Sequence, residues 1–301
     1  MTSSFIAVVG AAGNIGYSTS VALRQAGVSV RAILRDASKA SRLTAFGCEI
    51  GLADLQDSAA LGVEIANADA VQVILPPPPQ ADDAVAEMRR SIESLAEALE
   101  EARPRRVVAI SDYGAHISEW VGMPSMFHLF EERLRRLAIP QVFLRSAEHM
   151  HGWAPFIPAA QSTGILPSLH HPVDGLFPTV ASSDVGVIAA ELLIDEAMGT
   201  GERIVHAEGP RRHSANDVAA VLSELLGREV IARAVPRDQW RESLERGLSP
   251  SMAKLVADVY DAHNRGGLID VEPDKGELRR GTTELVDALR PLVLATANGG
   301  D

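Results

Sequence analysis

The chain has 301 residues, the length of one large domain or two modest ones. Lys and Arg number 28 against 40 Asp and Glu, and the net charge of −12 argues against a basic face for nucleic acid or an anionic membrane. At 46 % hydrophobic and 23 % charged the composition is that of a soluble globular protein, and the single Cys48 excludes an internal disulfide and any cysteine-clustered metal site.

Short apolar runs and longer amphipathic ones alternate over the first 145 residues. Phe5–Val9, Ser29–Leu34, Ala70–Leu75, Arg106–Ser111 and Gln141–Leu144 read as strands buried on both faces, with Cys48–Leu52 as a third strand between the second and the fourth. Asn14–Ala26, a segment near Ser38–Phe46, Ala81–Ala102 and Ser125–Leu137 carry helical spacing; in the last, Phe127, Phe130, Leu134 and Leu137 make one stripe. This alternation predicts an α/β fold, a Rossmann-type doubly wound parallel sheet. From Trp153 to Pro178 five prolines predict an extended loop or small subdomain. Beyond it come helices at Ser182–Glu196, Ser214–Leu226, near Arg237–Arg246 and from Pro250 to about Asn264, with strands at Arg203–His206 and Glu229–Val235. Residues 295–301 read as a frayed tail. No apolar run reaches membrane length and no basic stretch precedes a short apolar core, so a cytoplasmic protein with no membrane contact is expected.

The strongest single motif is Gly10-Ala11-Ala12-Gly13-Asn14-Ile15-Gly16, between the first strand and the first helix. The first glycine permits a tight turn, the second lets backbone approach a pyrophosphate, and the third lets helix and strand pack closely. The anion then sits on the helix N-terminus, where free N–H groups and the dipole favour it. The second strand ends at Arg35-Asp36, with Lys39 one turn on. An arginine there accommodates the 2′-phosphate of NADP(H), which places NADP(H) ahead of NAD(H). Asp36 is explained as a helix N-cap.

The glycine loop, Val30-Arg31-Ala32-Ile33-Leu34-Arg35-Asp36, Asp54-Leu55, His128…Glu132, Ile139-Pro140…Leu144-Arg145 and Glu208-Gly209-Pro210 together resemble the NmrA-like branch of the atypical short-chain dehydrogenase/reductases. The resemblance runs to about Pro291. It implies an NAD(P)-binding domain over 1–152 and a smaller C-terminal α+β substrate domain over 153–294, with some segments returning to the sheet. It makes Gly10, Gly13, Asn14 and Ile15, with Ala12 in the same loop, pyrophosphate contacts, and Arg35 the 2′-phosphate ligand. Asp54 and Leu55 would lie by the adenine, and Leu75 and Pro76 beside the ribose or nicotinamide. The four prolines Pro76–Pro79 depart from the family pattern.

Hydride-transfer enzymes of the wider superfamily use a Tyr with a Lys four residues on. Here the tyrosines are Tyr17, Tyr113 and Tyr260, and the residues four beyond are Val21, Ile117 and Asn264, so that dyad is absent. Lysine occurs only at Lys39, Lys254 and Lys275, and the position where some relatives keep a lone Lys falls on Phe127. The catalytic candidates are then Ser111 at the end of the fifth strand, Tyr113 just after it, and His128, which spacing brings near Glu132 on one helix face. Glu148, His149, Trp153 and Phe156 are the candidate substrate pocket. His149 and His151 alternate as two metal ligands would, but no carboxylate has matching spacing and no metal is expected. The expected activity is an NADPH-dependent reductase, an oxidoreductase acting on a small conjugated acceptor, as a monomer or homodimer. The competing expectation is a non-catalytic NADP(H)-binding redox sensor that acts through a protein partner.

Overall fold

The computed structural model describes residues 5–195 and 201–298. The first half alternates strictly: β1 (Ile6–Val9), α1 (Asn14–Gln25), β2 (Val30–Leu34), α2 (Ser41–Ala45), β3 (Glu49–Leu52), α3 (Ser58–Ile65), β4 (Ala70–Ile74), α4 (Ala84–Ala102), β5 (Arg106–Asp112), α5 (Met123–Leu134) and β6 (Gln141–Ser146). The second half is less regular. It runs β7 (Glu148–His149), α6 (Ile157–Thr163), β8 (Ile165–Ser168), β9 (Thr179–Val180), α7 (Ser182–Ile194), β10 (Glu202–Glu208), α8 (Ala215–Leu226), β11 (Ile231–Ala234), α9 (Trp240–Glu245), α10 (Pro250–His263), β12 (Glu277–Arg280) and α11 (Leu285–Asn298).

Eight strands form one sheet in the order β12-β10-β6-β5-β4-β1-β2-β3, with every neighbouring pair parallel. Strand direction forces each connection to cross a face, and side chains alternate between the two faces. Val8, Val108 and Leu144 meet Ile15, Leu23, Val185 and Leu192 of α1 and α7 on one side. Val9, Val73 and Phe143 meet Leu61, Leu95 and Phe130 of α3, α4 and α5 on the other. A separate core joins Trp153, Ile157, Leu166, Leu222 and Leu289 around α6, α8 and α11. The order reverses between β1 and β4, and above that switch point a crevice opens at the carboxyl ends of the strands.

Several expectations change. The stretch Trp153–Pro178 is not one loop: it holds a 3-10 turn at Met150–Phe156, then α6 and β8. Pro158 sits in the first turn of α6, where a missing N–H costs nothing. The tail read as frayed from 295 is helical through Asn298, because Leu285, Leu289 and Val293 bury one stripe of α11; residues 299–301 lie outside the described residues. The fifth and sixth strands each run past their apolar stretch, to Asp112 and Ser146, so their polar ends are part of the sheet.

α1 and α7 approach closely through Gly186. A Cβ built there would lie 2.5 Å from Ser18 Cβ and 2.8 Å from the Ile15 carbonyl oxygen. Gly186→Ala should therefore push α7 off α1 and cost about 1–3 kcal/mol, read as a lower midpoint in thermal denaturation. An unchanged midpoint would show that the two helices are not in this contact.

Candidate functional site

The glycine loop leaves β1 on Gly10, whose φ of +74° suits a residue without Cβ. A Cβ there would sit 2.6 Å from Ile74 Cγ2, and one on Gly16 would sit 2.5 Å from the Gly10 carbonyl oxygen. These two glycines bring α1 against the strand. Gly13 caps α1 with no side-chain hydrogen bond, so the first N–H groups of the helix stay open, and Ala12, Gly13 and Asn14 are exposed. The result is an anion-binding helix end at the switch point.

The other residues assigned to the cofactor surround this end. Arg35 and Lys39 are exposed past the tip of β2, with no ion pair among the described residues. Asp36 is the N-cap of the turn between them: its Oδ1 accepts the Ser38 N–H at 2.9 Å, and the Ser38 hydroxyl and that N–H hold the carboxyl below its ordinary value. Asp54 accepts from Gln56 N–H at 2.9 Å and stays exposed, while the half-buried Leu55 packs on the core. Leu75 is buried on the crevice wall and Pro76 is exposed beside it. The proline run that follows is tied down at its far end. Pro79 carbonyl accepts Ser249 N–H at 2.9 Å, and Gln80 Nε2 donates to the Gly247 carbonyl at 2.8 Å. The loop after β4 is thereby fastened to the start of α10.

A cavity of about 390 Å³ continues from Ile15 and Leu75. Met123 and Phe127 of α5 and Met252, Val256 and Val259 of α10 make its apolar wall. Asp112, Glu148, His149, His151, Tyr260 and His263 make its polar end. Trp153 and Phe156, expected as lining, do not reach it. Trp153 is 3 % exposed and packs on Phe156, His170 and Phe177, behind the polar end. The lining comes instead from α5 and α10, and Phe127 occupies it with a ring where a lysine would bring charge.

Of the three expected catalytic residues, Ser111 and Tyr113 line the cavity and His128 does not, and each side chain is held by a hydrogen bond. Ser111 Oγ donates to Glu131 Oε1 at 2.6 Å, inside a buried cluster where Arg145 grips both oxygens of Glu131 at 2.8 and 2.6 Å. Tyr113 is 1 % exposed, and its hydroxyl donates to Glu208 at 3.3 Å; burial and the Glu208 charge push the phenol far above its ordinary range. A phenol so raised is a poor proton donor at neutral pH. His128 Nδ1 donates to the Ala115 carbonyl at 2.8 Å, while Glu132 pairs with Arg135 at 2.8 Å, so the expected His128–Glu132 pair does not form.

Glu148 and His149 do face the cavity. Glu148 Oε2 lies 2.9 Å from His170 Nε2, and Oε1 accepts the Tyr260 hydroxyl at 3.1 Å. Burial opposes ionisation of Glu148, but His170 and the Tyr260 hydrogen bond outweigh it and hold the carboxyl down to about 2. His149, half-buried and bonded to Ser146 Oγ at 3.2 Å, is pushed down to about 4 by desolvation and by neighbouring His151, and is neutral at pH 7. Glu148, His170 and His263 also bring three ligand atoms within 4.8 Å of one another, a group that spacing along the chain could not reveal and that could hold a metal.

Asp112 is the functional candidate that the sequence left without a role. It closes β5 on the cavity wall, half-buried. Burial pushes its carboxyl up to about 8 against the pull of the Tyr113 N–H, and the charges of Glu148 and Glu131 add to the rise. The signal was its place one residue past an apolar strand, at the end where ligands bind in such sheets.

A parallel sheet in this order, with a glycine-rich strand–helix turn at the switch point and a cavity above it, is a Rossmann-type dinucleotide-binding fold. The chain belongs to the NmrA-like family, whose model matches residues 2–278. It is 25 % identical over 263 residues to the NAD(P)H azoreductase of Xenophilus azovorans, covering 85 % of this chain and 86 % of that one. Among solved structures it is similar to an NADPH-dependent quinone oxidoreductase of Escherichia coli (TM-score 0.76, 22 % identity, 96 % of this chain and 99 % of that one). It is likewise similar to the triphenylmethane reductase of Citrobacter sp. (TM-score 0.78, 20 % identity, 96 % and 99 % covered). Among the described residues no helix is long and apolar enough to cross a membrane.

Proposed function

We propose that the protein is an NADPH-dependent reductase that transfers hydride to a small conjugated acceptor, a quinone, enone or imine. The observation that carries this reading is the continuity of the open helix end at Gly13 with the cavity of about 390 Å³ beyond Ile15 and Leu75. That arrangement sets a dinucleotide's reactive end against a pocket of the size that small ligands use. The azoreductase, quinone oxidoreductase and triphenylmethane reductase relatives support it. NADPH, when bound, supplies the hydride. The chain supplies the rest: the loop 10–16 and Arg35 bind the phosphates, with Lys39 nearby. Asp54 and Leu55 border the adenine, and Leu75 with Pro76 the nicotinamide end. The apolar wall orients a flat acceptor and excludes water.

No lysine or arginine lines the cavity among the described residues, and its polar end holds carboxyls and imidazoles. Such a site suits neutral or cationic acceptors and disfavours carboxylates. In this reading residues 1–152 carry the cofactor and also much of the acceptor cavity, through the ends of β5 and β6, α5 and β7, while α10 closes it from the C-terminal part.

The test is NADPH consumption by the purified protein, followed by cofactor absorbance, across quinones, enones and imines. At least one neutral or cationic acceptor should be reduced. Tight NADPH binding with no consumption across the panel would refute the reductase and leave the redox sensor.

A further inference from the structure

Asp112 shares the cavity with Ile15, Leu75, Glu148 and His149, on the wall between the cofactor loop and the polar end. The groups around it are committed: Ser111 to Glu131, Tyr113 to Glu208, and Glu148 to His170 and Tyr260. The Asp112 carboxyl has the Tyr113 backbone N–H near it, itself bonded to the Ser146 carbonyl at 3.1 Å, and forms no side-chain hydrogen bond among the described residues. Asp112 is thus the carboxyl on the cavity wall that no other side chain holds among the described residues, placed to give a proton to a bound acceptor.

We propose that Asp112 is the proton donor of the reduction. This rests on the reductase reading. A neutral enone or imine gains a C–H bond at the carbon that takes up hydride, and the displaced π pair moves to its conjugated oxygen or nitrogen. That atom takes the proton from the Asp112 carboxyl, forming O–H or N–H and leaving a carboxylate. The acceptor is reduced by two electrons, the cofactor is oxidised to NADP⁺, and solvent returns the proton to Asp112. A cationic acceptor is neutralised by hydride alone and draws no proton.

The groups facing Asp112 bear on its titration from several elements: Glu148 and His149 of β7, His151 beyond it, Glu131 of α5, and Tyr260 and His263 of α10. Their net effect matches the need for an acid. A carboxyl raised to about 8 is protonated at neutral pH and can give its proton up in the reaction.

The experiment compares Asp112→Asn with wild type on 2-cyclohexenone, a neutral acceptor, and crystal violet, a cationic one. The ratio of kcat on the enone to kcat on crystal violet should fall about 10²-fold in the variant. Wild-type kcat on the enone should decline above about pH 8, and the variant should lose that step. Parallel losses on both compounds, or an unchanged pH profile, would overturn the assignment. A readout independent of turnover is the infrared band of a protonated carboxyl at pH 7, present in wild type and missing from Asp112→Asn. Its absence from wild type overturns the acid whatever the kinetics. A wild type that carries the band but consumes no NADPH with any quinone, enone or imine sinks the reductase reading, and the donor role with it.

Discussion

Replacing Arg145 with Met should cost about 3–5 kcal/mol, the loss expected when one partner of a buried ion pair is removed. Arg145 is 1 % exposed and Glu131 is fully enclosed. Glu131 accepts two hydrogen bonds from Arg145, one from Ser111 and one from Arg135, and Arg145 reaches on to Glu272 at 2.6 Å. Burial works against the guanidinium charge, and Glu131 with Glu272 overcomes it, so Arg145 stays charged beyond its ordinary range. Methionine fills much of the volume but leaves the Glu131 carboxylate half-paired in a dry site. Thermal melts should register a drop on the order of 10 °C. The double substitution Arg145→Met with Glu131→Leu should recover part of the loss, since it removes the stranded charge. A single variant that melts like wild type would contradict the cluster.

Arg35→Ala should weaken NADPH roughly 10- to 100-fold and leave NADH nearly untouched, the size of one charge-assisted hydrogen bond of about 1.5–3 kcal/mol. The side chain stands free at the tip of β2, where the ribose of a dinucleotide on loop 10–16 would lie. Lys39 on the following turn should keep part of the NADPH preference in the single variant, so the double variant should lose more. Isothermal titration of both cofactors measures it. Equal losses for NADPH and NADH would show that Arg35 does not touch the 2′-phosphate.

The cofactor end of the fold is legible in the sequence because it is local. Strand, glycine turn and helix are consecutive in residues 6–25, and Gly10 and Gly16 each have a steric reason visible in their spacing. The sheet is legible too, since strands buried on both faces write unbroken apolar runs. Much of what escapes is short or polar, and α11 escapes as well, with Pro291 inside it. β12 is Glu-Leu-Arg-Arg at a sheet edge and carries no apolar run, and α3 is only eight residues, although Asp57 caps it and Leu61 and Ile65 mark its buried side. The acceptor side is least legible because it is assembled from distant segments. Glu148 meets His170, Tyr260 and His263 across as many as 115 positions. Trp153 reads as pocket lining by its place after β7, yet an indole that large finds more burial in the core behind. Ser111 reads as catalytic at a strand end, but a hydroxyl beside an enclosed carboxylate is drawn into that carboxylate's shell.

The central claim is direct hydride transfer from a cofactor on loop 10–16 to an acceptor in the adjoining cavity. Its most direct test is a turnover with NADPH deuterated at both C4 positions, followed by mass spectrometry of a reduced enone or imine, whose product keeps the transferred hydride on carbon. One deuterium bound to carbon in the product is the predicted result. A product free of deuterium, or a cofactor that binds and is never oxidised, would contradict it.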